Sequence, residues 1–404
     1  MVRSTVAHVD LDALQSNFRA IQAFLDSNPQ PGSNRPAIIA VVKANAYGHG
    51  AVPVGLALES AGATMLACAD IEEGVALRRG GVRLPILVFG ALSVSDLDGL
   101  FDCGLTPTIS TPSAARALQT AAASHRVTLG YHLKIDTGMN RLGFRHDNLR
   151  RTLPEVLVSG NLRLDAVYTH FASADVPESP VFDQQRQNYE AALGVVDDLL
   201  CHAIVPTLSA TQAISGLASG PDGPHPAKYL RHAANSAATL RHSRVWYDVV
   251  RPGLLLYGVV PPPLATTIPL TPVMSLTSRI VAVKGLRPGE GVGYGWRFTA
   301  DSARTIAVIP AGYADGLDTR LAGRGHVLIR GRRVPIVGAV SMDMLTVDVT
   351  GMDDLQPGDE VVLLGRQGEE SWQQIGAREL GAAVGMIPWE VLCRLGSRIE
   401  RQYE

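Results

Sequence analysis

The sequence predicts an α/β protein, with an N-terminal (β/α)8 TIM-type barrel followed by a C-terminal, mostly β domain. Three observations carry that expectation. Short apolar runs alternate with Ala- and Leu-rich stretches of helical period through the first two-thirds of the chain. Eight such runs are separated by connections of helix length, the rhythm of parallel strands joined by crossover helices. After Pro261-Pro-Pro the texture changes to two-residue alternation punctuated by turn signals. The expected domains are a barrel over 11–262 and a mainly β domain over 263–404, to which residues 1–10 add a strand.

The first barrel strand, 37–42, contains only Ala, Ile and Val, between Pro36 and a Gly/Asn-rich turn. Further strands are expected at 64–69, 85–89, 106–109, 130–135, 164–169, 205–209 and 246–251. Helices are expected at 51–61, 71–79, 111–123 and 183–201. An open doubly wound sheet has the same local pattern, but no G-x-G-x-x-G follows any of these strands. In the second domain the spacing predicts strands at 305–309, 326–329, 334–340 and 360–364. Turn signals stand at Arg287-Pro-Gly-Glu, Ala322-Gly-Arg-Gly and Gln356-Pro-Gly-Asp. Arg330-Gly-Arg-Arg reads as a solvated hairpin turn, and Ser371-Trp-Gln-Gln as the capping box of a late helix.

Composition narrows the function. At 404 residues the chain suits two domains with large cores. A net charge of −2 gives no electrostatic case for nucleic acid or an anionic membrane as partner. Cys68, Cys103, Cys201 and Cys393 lack C-x-x-C spacing and read as free thiols in a reducing cytosol. No signal-peptide core and no run of about 18 apolar residues is present. The histidines lack H-E-x-x-H or comparable spacing, so no metal is expected.

The polar residues gather at the C-terminal ends of the expected strands, where barrels build their sites. Lys43 ends the first, and two readings stand for it. It is a strand-end lysine snorkelling to solvent, or an amine kept neutral by burial and able to form a Schiff base. Lys134 and Asp136 end the fifth strand and lead to Arg141. Tyr168-Thr-His170 ends the sixth, Asn235-Ser236 follows the seventh, and Arg251-Pro-Gly253 ends the eighth. A lysine for an aldehyde, an arginine able to face a pyridine nitrogen and a phosphate cradle after strands seven and eight describe pyridoxal phosphate.

Taken in order, these motifs resemble the alanine racemase family over nearly the whole chain. Ala40–Gly50 is very close to that family's cofactor-lysine signature. The resemblance implies that Lys43 carries the cofactor and that Tyr47 reaches its phosphate. Leu133–Gly143 implies that Arg141 contacts substrate carboxylate and cofactor phenol oxygen, and that Lys134 occupies a position often carbamylated. Blocks at 168–175, 232–238 and 250–253 imply that Asn235, Ser236, Gly253 and Leu254 hold the cofactor. Within them, Arg251 faces the pyridine nitrogen and keeps it largely unprotonated, and His170 relays to the second base. That base is Tyr294, in Val292-Gly-Tyr-Gly295. The blocks at 309–316 and 340–343 imply that the Met342 amide binds substrate, with Asp175, Tyr313, Asp315 and Ala339 in the entryway.

Two positions depart from the family pattern. Trp389 aligns with a tyrosine whose hydroxyl reaches the phosphate, and Ala339 stands where an arginine is common. The implied function is interconversion of L- and D-alanine, a peptidoglycan precursor, by two bases. Lys43 serves one face and Tyr294, from the partner subunit of a cytoplasmic homodimer, the other. A serine or broader-specificity racemase is the alternative that Trp389 and Ala339 leave open. A non-enzymatic pyridoxal-phosphate carrier of this barrel type lacks the second domain. A barrel decarboxylase usually has a glycine-rich phosphate loop instead of Asn235-Ser236.

Overall fold

The computed structural model describes residues 4–29, 35–90, 97–202, 229–368 and 372–404. Eight parallel strands close into a barrel: Ala37–Val41, Met65–Cys68, Ile86–Val88, Thr106–Ile109, Leu129–Asp136, Leu162–Tyr168, Leu230–Asn235 and Val249–Arg251. Closure is direct, with Val249 registered against Ala37 and Val250 against Ile38. The first strands are buried along their whole length, which is why they are unbroken apolar runs without alternation.

The seventh strand corrects the sequence expectation. The run at 205–209 lies outside the described residues, and Leu230–Asn235 holds the position between the sixth and eighth strands. It contains Arg231 and His232 and no β-branched residue, so no apolar signal marked it. The eighth strand begins at Val249 because Ser243–Val245 forms a 3-10 turn. Helices Ala51–Ser60, Ile71–Arg79, Pro112–Ser124 and Pro180–His202 fill the expected stretches. Asp70 and Thr111 cap two of them through the Glu73 and Ala114 amides.

The second domain is a largely antiparallel sheet. Strand Val6–Val9 joins it, antiparallel to Met274–Arg279 and parallel to Glu400–Tyr403. Arg330 and Gly331, with φ of 48° and 72°, make the two-residue hairpin between His326–Ile329 and Arg332–Val337. The late helix departs from expectation. Gln373–Ile375 is a strand paired with Glu360–Gln367, and the helix runs from Ala377 to Val384 without a side-chain cap. The Trp372 ring lies 4.6 Å from the Arg366 guanidinium and Ile375 is buried, and the pairing with Glu360–Gln367 holds the stretch extended. Among the described residues no helix is long and apolar enough to cross a membrane.

Helix Leu11–Ser27 ties the N-terminus to the barrel's end. Its fully buried Asn17 donates to the Leu256 and Thr271 carbonyls at 3.0 and 2.7 Å and accepts the Thr271 amide at 2.8 Å. Asn17→Ala strands these groups, so urea unfolding should show a loss of about 3 kcal/mol. A loss under about 0.5 kcal/mol would contradict this bonding.

Candidate active site

The barrel strands deliver their polar residues to one mouth. Lys43 follows the first strand directly, and the backbone then turns left-handed. Ala44, Asn45, Ala46 and Tyr47 all have φ between 52° and 55°. Left-handed geometry costs roughly 1–2 kcal/mol per non-glycine residue, so the surroundings must enforce it. Asn45 donates its amide to Glu73 Oε1 at 3.2 Å, and its side chain accepts the Ala51 amide at 2.8 Å. Gly48, at φ 83°, packs where a Cβ would meet the Leu392 carbonyl.

The turn carries Tyr47 to the far side of the mouth. Its hydroxyl lies so close to Gly253 that a Cβ there would sit 2.5 Å away. The Gly253 amide donates to Ser236 Oγ at 2.9 Å, and Asn235 Oδ1 caps the following helix through the Ala238 amide at 3.0 Å. Burial first, then Cys393, holds the Tyr47 phenol protonated well above its ordinary range. Lys43 thus stands at one end of a short arc, and hydroxyl and amide groups at the other.

Arg251 occupies the floor and is only 4% exposed. One guanidinium nitrogen donates to His232 Nδ1 at 2.8 Å. The other donates to the Thr169 and Ala233 carbonyls at 2.8 and 3.1 Å and faces His170 Nδ1 at 3.4 Å. The group also stands 5.2 Å from the centre of the Tyr168 ring. Because a guanidinium only donates, His232 must accept at Nδ1 and carry its proton on Nε2. His232 Nε2 lies 3.0 Å from His132 Nδ1, which fixes the His132 proton on Nε2 in turn. Tyr168 stacks on His232 at 4.7 Å and 8° and holds this relay flat.

The charges follow from this packing. Burial, then Arg251, pushes His132 down to about 3 and His170 well below its ordinary value. Lys134, buried within 5.5 Å of the Tyr168 ring, is pushed down to about 8 by burial, then by Arg141 and Arg251. Lys43 opens to solvent in the single chain, yet protein crowds enough of it that desolvation, followed by Arg141, lowers its amine as well. Arg141 itself is exposed, on a loop shaped by Asp136 Oδ1 accepting the Gly138 and Asn140 amides at 3.0 Å each.

Not every expected residue joins this ring. Tyr294 is 78% exposed, on a turn with positive φ at Gly293, Gly295 and Trp296. No hydrogen bond among the described residues ties it to Lys43, His170 or Arg251. Trp296, Tyr313, Met342 and Met344 are exposed in the same domain, and Ala339 borders Gly293. Asp315 is fully buried and accepts the Gly312 amide at 2.9 Å, which is a structural bond. Asp175 is half-buried, and so is Trp389, which packs on the apolar core. Cys393, on the same short helix as Trp389, acts electrostatically on both Lys43 and Tyr47. Among the described residues no cluster has the make-up of a metal site.

The alanine racemase N-terminal domain profile matches residues 9–261, and the C-terminal domain profile matches 273–403. The chain belongs to the alanine racemase family. It is 38% identical over its full length to an alanine racemase of Symbiobacterium thermophilum, covering 97% of that protein. The solved alanine racemase of Streptomyces lavendulae superposes with a TM-score of 0.86 at 32% identity, covering 100% of this chain and 98% of that one. An alanine racemase of Bartonella henselae, solved with covalently bound pyridoxal phosphate, gives 0.81 at 26% identity and 99% coverage of both chains.

Two histidines, His132 and His232, carry the floor of the site in one protonation state. Nitrogen-15 spectra should show His132 and His232 neutral and protonated on Nε2 at neutral pH. Both take up a proton near 6.5 when unfolded but resist it when folded, down to about 3 for His132. Their contribution to stability is therefore complete above about pH 6.5 and is lost as pH falls toward 3. A positively charged His132 in the folded protein at pH 6 would contradict the relay.

Proposed function

We propose that this chain racemises alanine using pyridoxal phosphate held at the barrel mouth. The observation that carries the reading is the arc itself. An amine of lowered basicity, Lys43, stands opposite a cradle where the Tyr47 hydroxyl, the Ser236 hydroxyl and the Gly253 amide converge. That donor set fits a phosphate ester, and Lys43 fits an aldehyde. Asn235, Leu254 and Trp389 complete the proposed surroundings, and Arg251 would meet the pyridine nitrogen as a donor that keeps its proton. When bound, pyridoxal phosphate supplies a sink for the electron pair left as the Cα–H bond breaks.

The chain's own groups do the proton work. Lys43 Nζ takes a proton as the neutral amine and returns one as the ammonium, on one face of Cα. The partner subunit's Tyr294 serves the other face, an assignment supported by the exposure of Tyr294 in this chain, in a domain that also exposes Trp296, Met342 and Met344. His170 is neutral with Nδ1 toward Arg251, which leaves its Nε2–H to donate to a phenolate and so lower the cost of ionising that tyrosine. Arg141 and the Met342 amide would hold the substrate carboxylate. Lys134, with its amine near 8, is able to form a carbamate, whose negative charge would steady Arg141. Asp175, Tyr313, Asp315 and Ala339 would line the approach. Four unpaired cysteines suit a reducing compartment, and we place the enzyme in the cytoplasm.

Purified protein incubated with L-alanine should lose optical rotation in a cofactor-dependent way. Lys43→Ala should lose both that activity and the visible absorbance of a lysine-bound pyridoxal. Racemisation that survives Lys43→Ala would overturn the reading.

A further inference from the structure

Glu73 stands outside every motif, yet its two carboxylate oxygens serve different parts of the mouth. It is the third residue of helix Ile71–Arg79, and its amide bonds the N-cap Asp70 at 2.8 Å. A capping box would return the Glu73 carboxylate to the N-cap amide. Instead Oε2 accepts the Ala69 amide at 2.8 Å, and Oε1 crosses to the Asn45 amide at 3.2 Å. Helix capping needs no bond to Asn45. That residue lies 28 positions away, inside the left-handed turn between Lys43 and Tyr47.

Other side chains hold the turn as well, among them His49, whose Nδ1 lies 2.9 and 3.0 Å from the Ala46 and Tyr47 carbonyls. Asn45 Oδ1 takes the Ala51 amide at 2.8 Å, and Arg401 Nε donates to the Gly48 carbonyl at 3.0 Å from the last strand of the chain. Of these restraints, Glu73 is the one whose carboxylate bonds the turn two residues from Lys43 and also acts electrostatically on the Lys43 amine. The groups facing that amine from the surrounding elements are Arg141, Lys134, His170, Cys393 and Glu73. Burial first, then Arg141 and Lys134, disfavour an ammonium there, and Cys393 and then Glu73 favour it.

We propose that Glu73 is a positioning residue for racemisation, clamping the left-handed turn that sets Lys43 against Tyr47 and countering the cations around the lysine. The proposal rests on the reading of Lys43 as the cofactor lysine. It makes a directional statement that loop support alone does not. Removing the charge while keeping an acceptor, in Glu73→Gln, takes away one of the groups that oppose Arg141 and Lys134 and lowers the basicity of Lys43 further. Merely loosening the turn would hydrate the amine and move it up toward its ordinary 10.5.

The test uses the full-length chain in two forms. Without cofactor, Lys43 is reductively methylated with formaldehyde and cyanoborohydride across a pH series, and the modified peptide is quantified by mass. In Glu73→Gln the labelling midpoint should move to lower pH. With pyridoxal phosphate, kcat for alanine should fall about tenfold while KM changes little, because the reacting amine is misplaced. Glu73→Ala, which offers no acceptor, should lose more kcat than Glu73→Gln. A midpoint in Glu73→Gln that stays or rises, or a kcat within about twofold of wild type, overturns the proposal. If wild type itself fails to racemise alanine, the reading of the site falls, while the labelling shift still decides the role of Glu73.

Discussion

A guanidinium buried in the barrel floor sets the terms for everything above it. Arg251 has no carboxylate within salt-bridge distance among the described residues. Two carbonyls, an imidazole nitrogen and the face of Tyr168 satisfy it instead. A buried charge so held keeps its proton, with its pKa lowered only to about 10. Burial first and then Arg251 keep His132, His170 and His232 neutral, and burial, then Arg141 and Arg251, make Lys134 titrate low. The floor is thus three neutral imidazoles around one permanent donor, which fixes their tautomers and leaves Lys43 and Lys134 as the groups of lowered basicity above it.

That floor positions half of a two-sided reaction. The lysine and the cradle come from the barrel, on the two ends of a left-handed turn whose geometry is enforced from helix Ile71–Arg79 and from the last strand. The expected second base lies on the other domain and faces solvent. Tyr294, Trp296, Met342 and Met344 each expose apolar surface that is costly to leave in water, and covering them with a second copy would complete both mouths of a symmetric pair. Stability of the dimer and completeness of the site would then be one property.

Much of this was legible in the sequence because the chemistry sits at strand ends. Lys43, Lys134, His170 and Arg251 each close an expected strand, so the barrel rhythm alone put them in a ring. Leu230–Asn235 escaped because a strand lined with Arg231, His232 and two alanines carries no apolar signal. Gln373–Ile375 escaped because Ser371-Trp-Gln-Gln, whose serine lies outside the described residues, resembles a helix start, whereas pairing with Glu360–Gln367 decides the form of the strand. Glu73 and His132 act across 28 and 100 residues, and no local pattern encodes such partners. His132 did leave one trace: it stands two residues before Lys134 on the same strand, and therefore on the same face.

The central claim is that one chain holds the lysine and its partner supplies the tyrosine. Mixing two inactive variants measures this directly. Lys43→Ala and Tyr294→Phe, unfolded together and refolded as one pool, would form mixed dimers in which one of the two mouths has both bases intact. The account predicts recovery of alanine racemisation to roughly a quarter of the wild-type rate, since half of randomly paired dimers are mixed and each has one whole site. Activity no greater than the sum of the two variants would show that each chain uses its own tyrosine, and the shared site would be wrong.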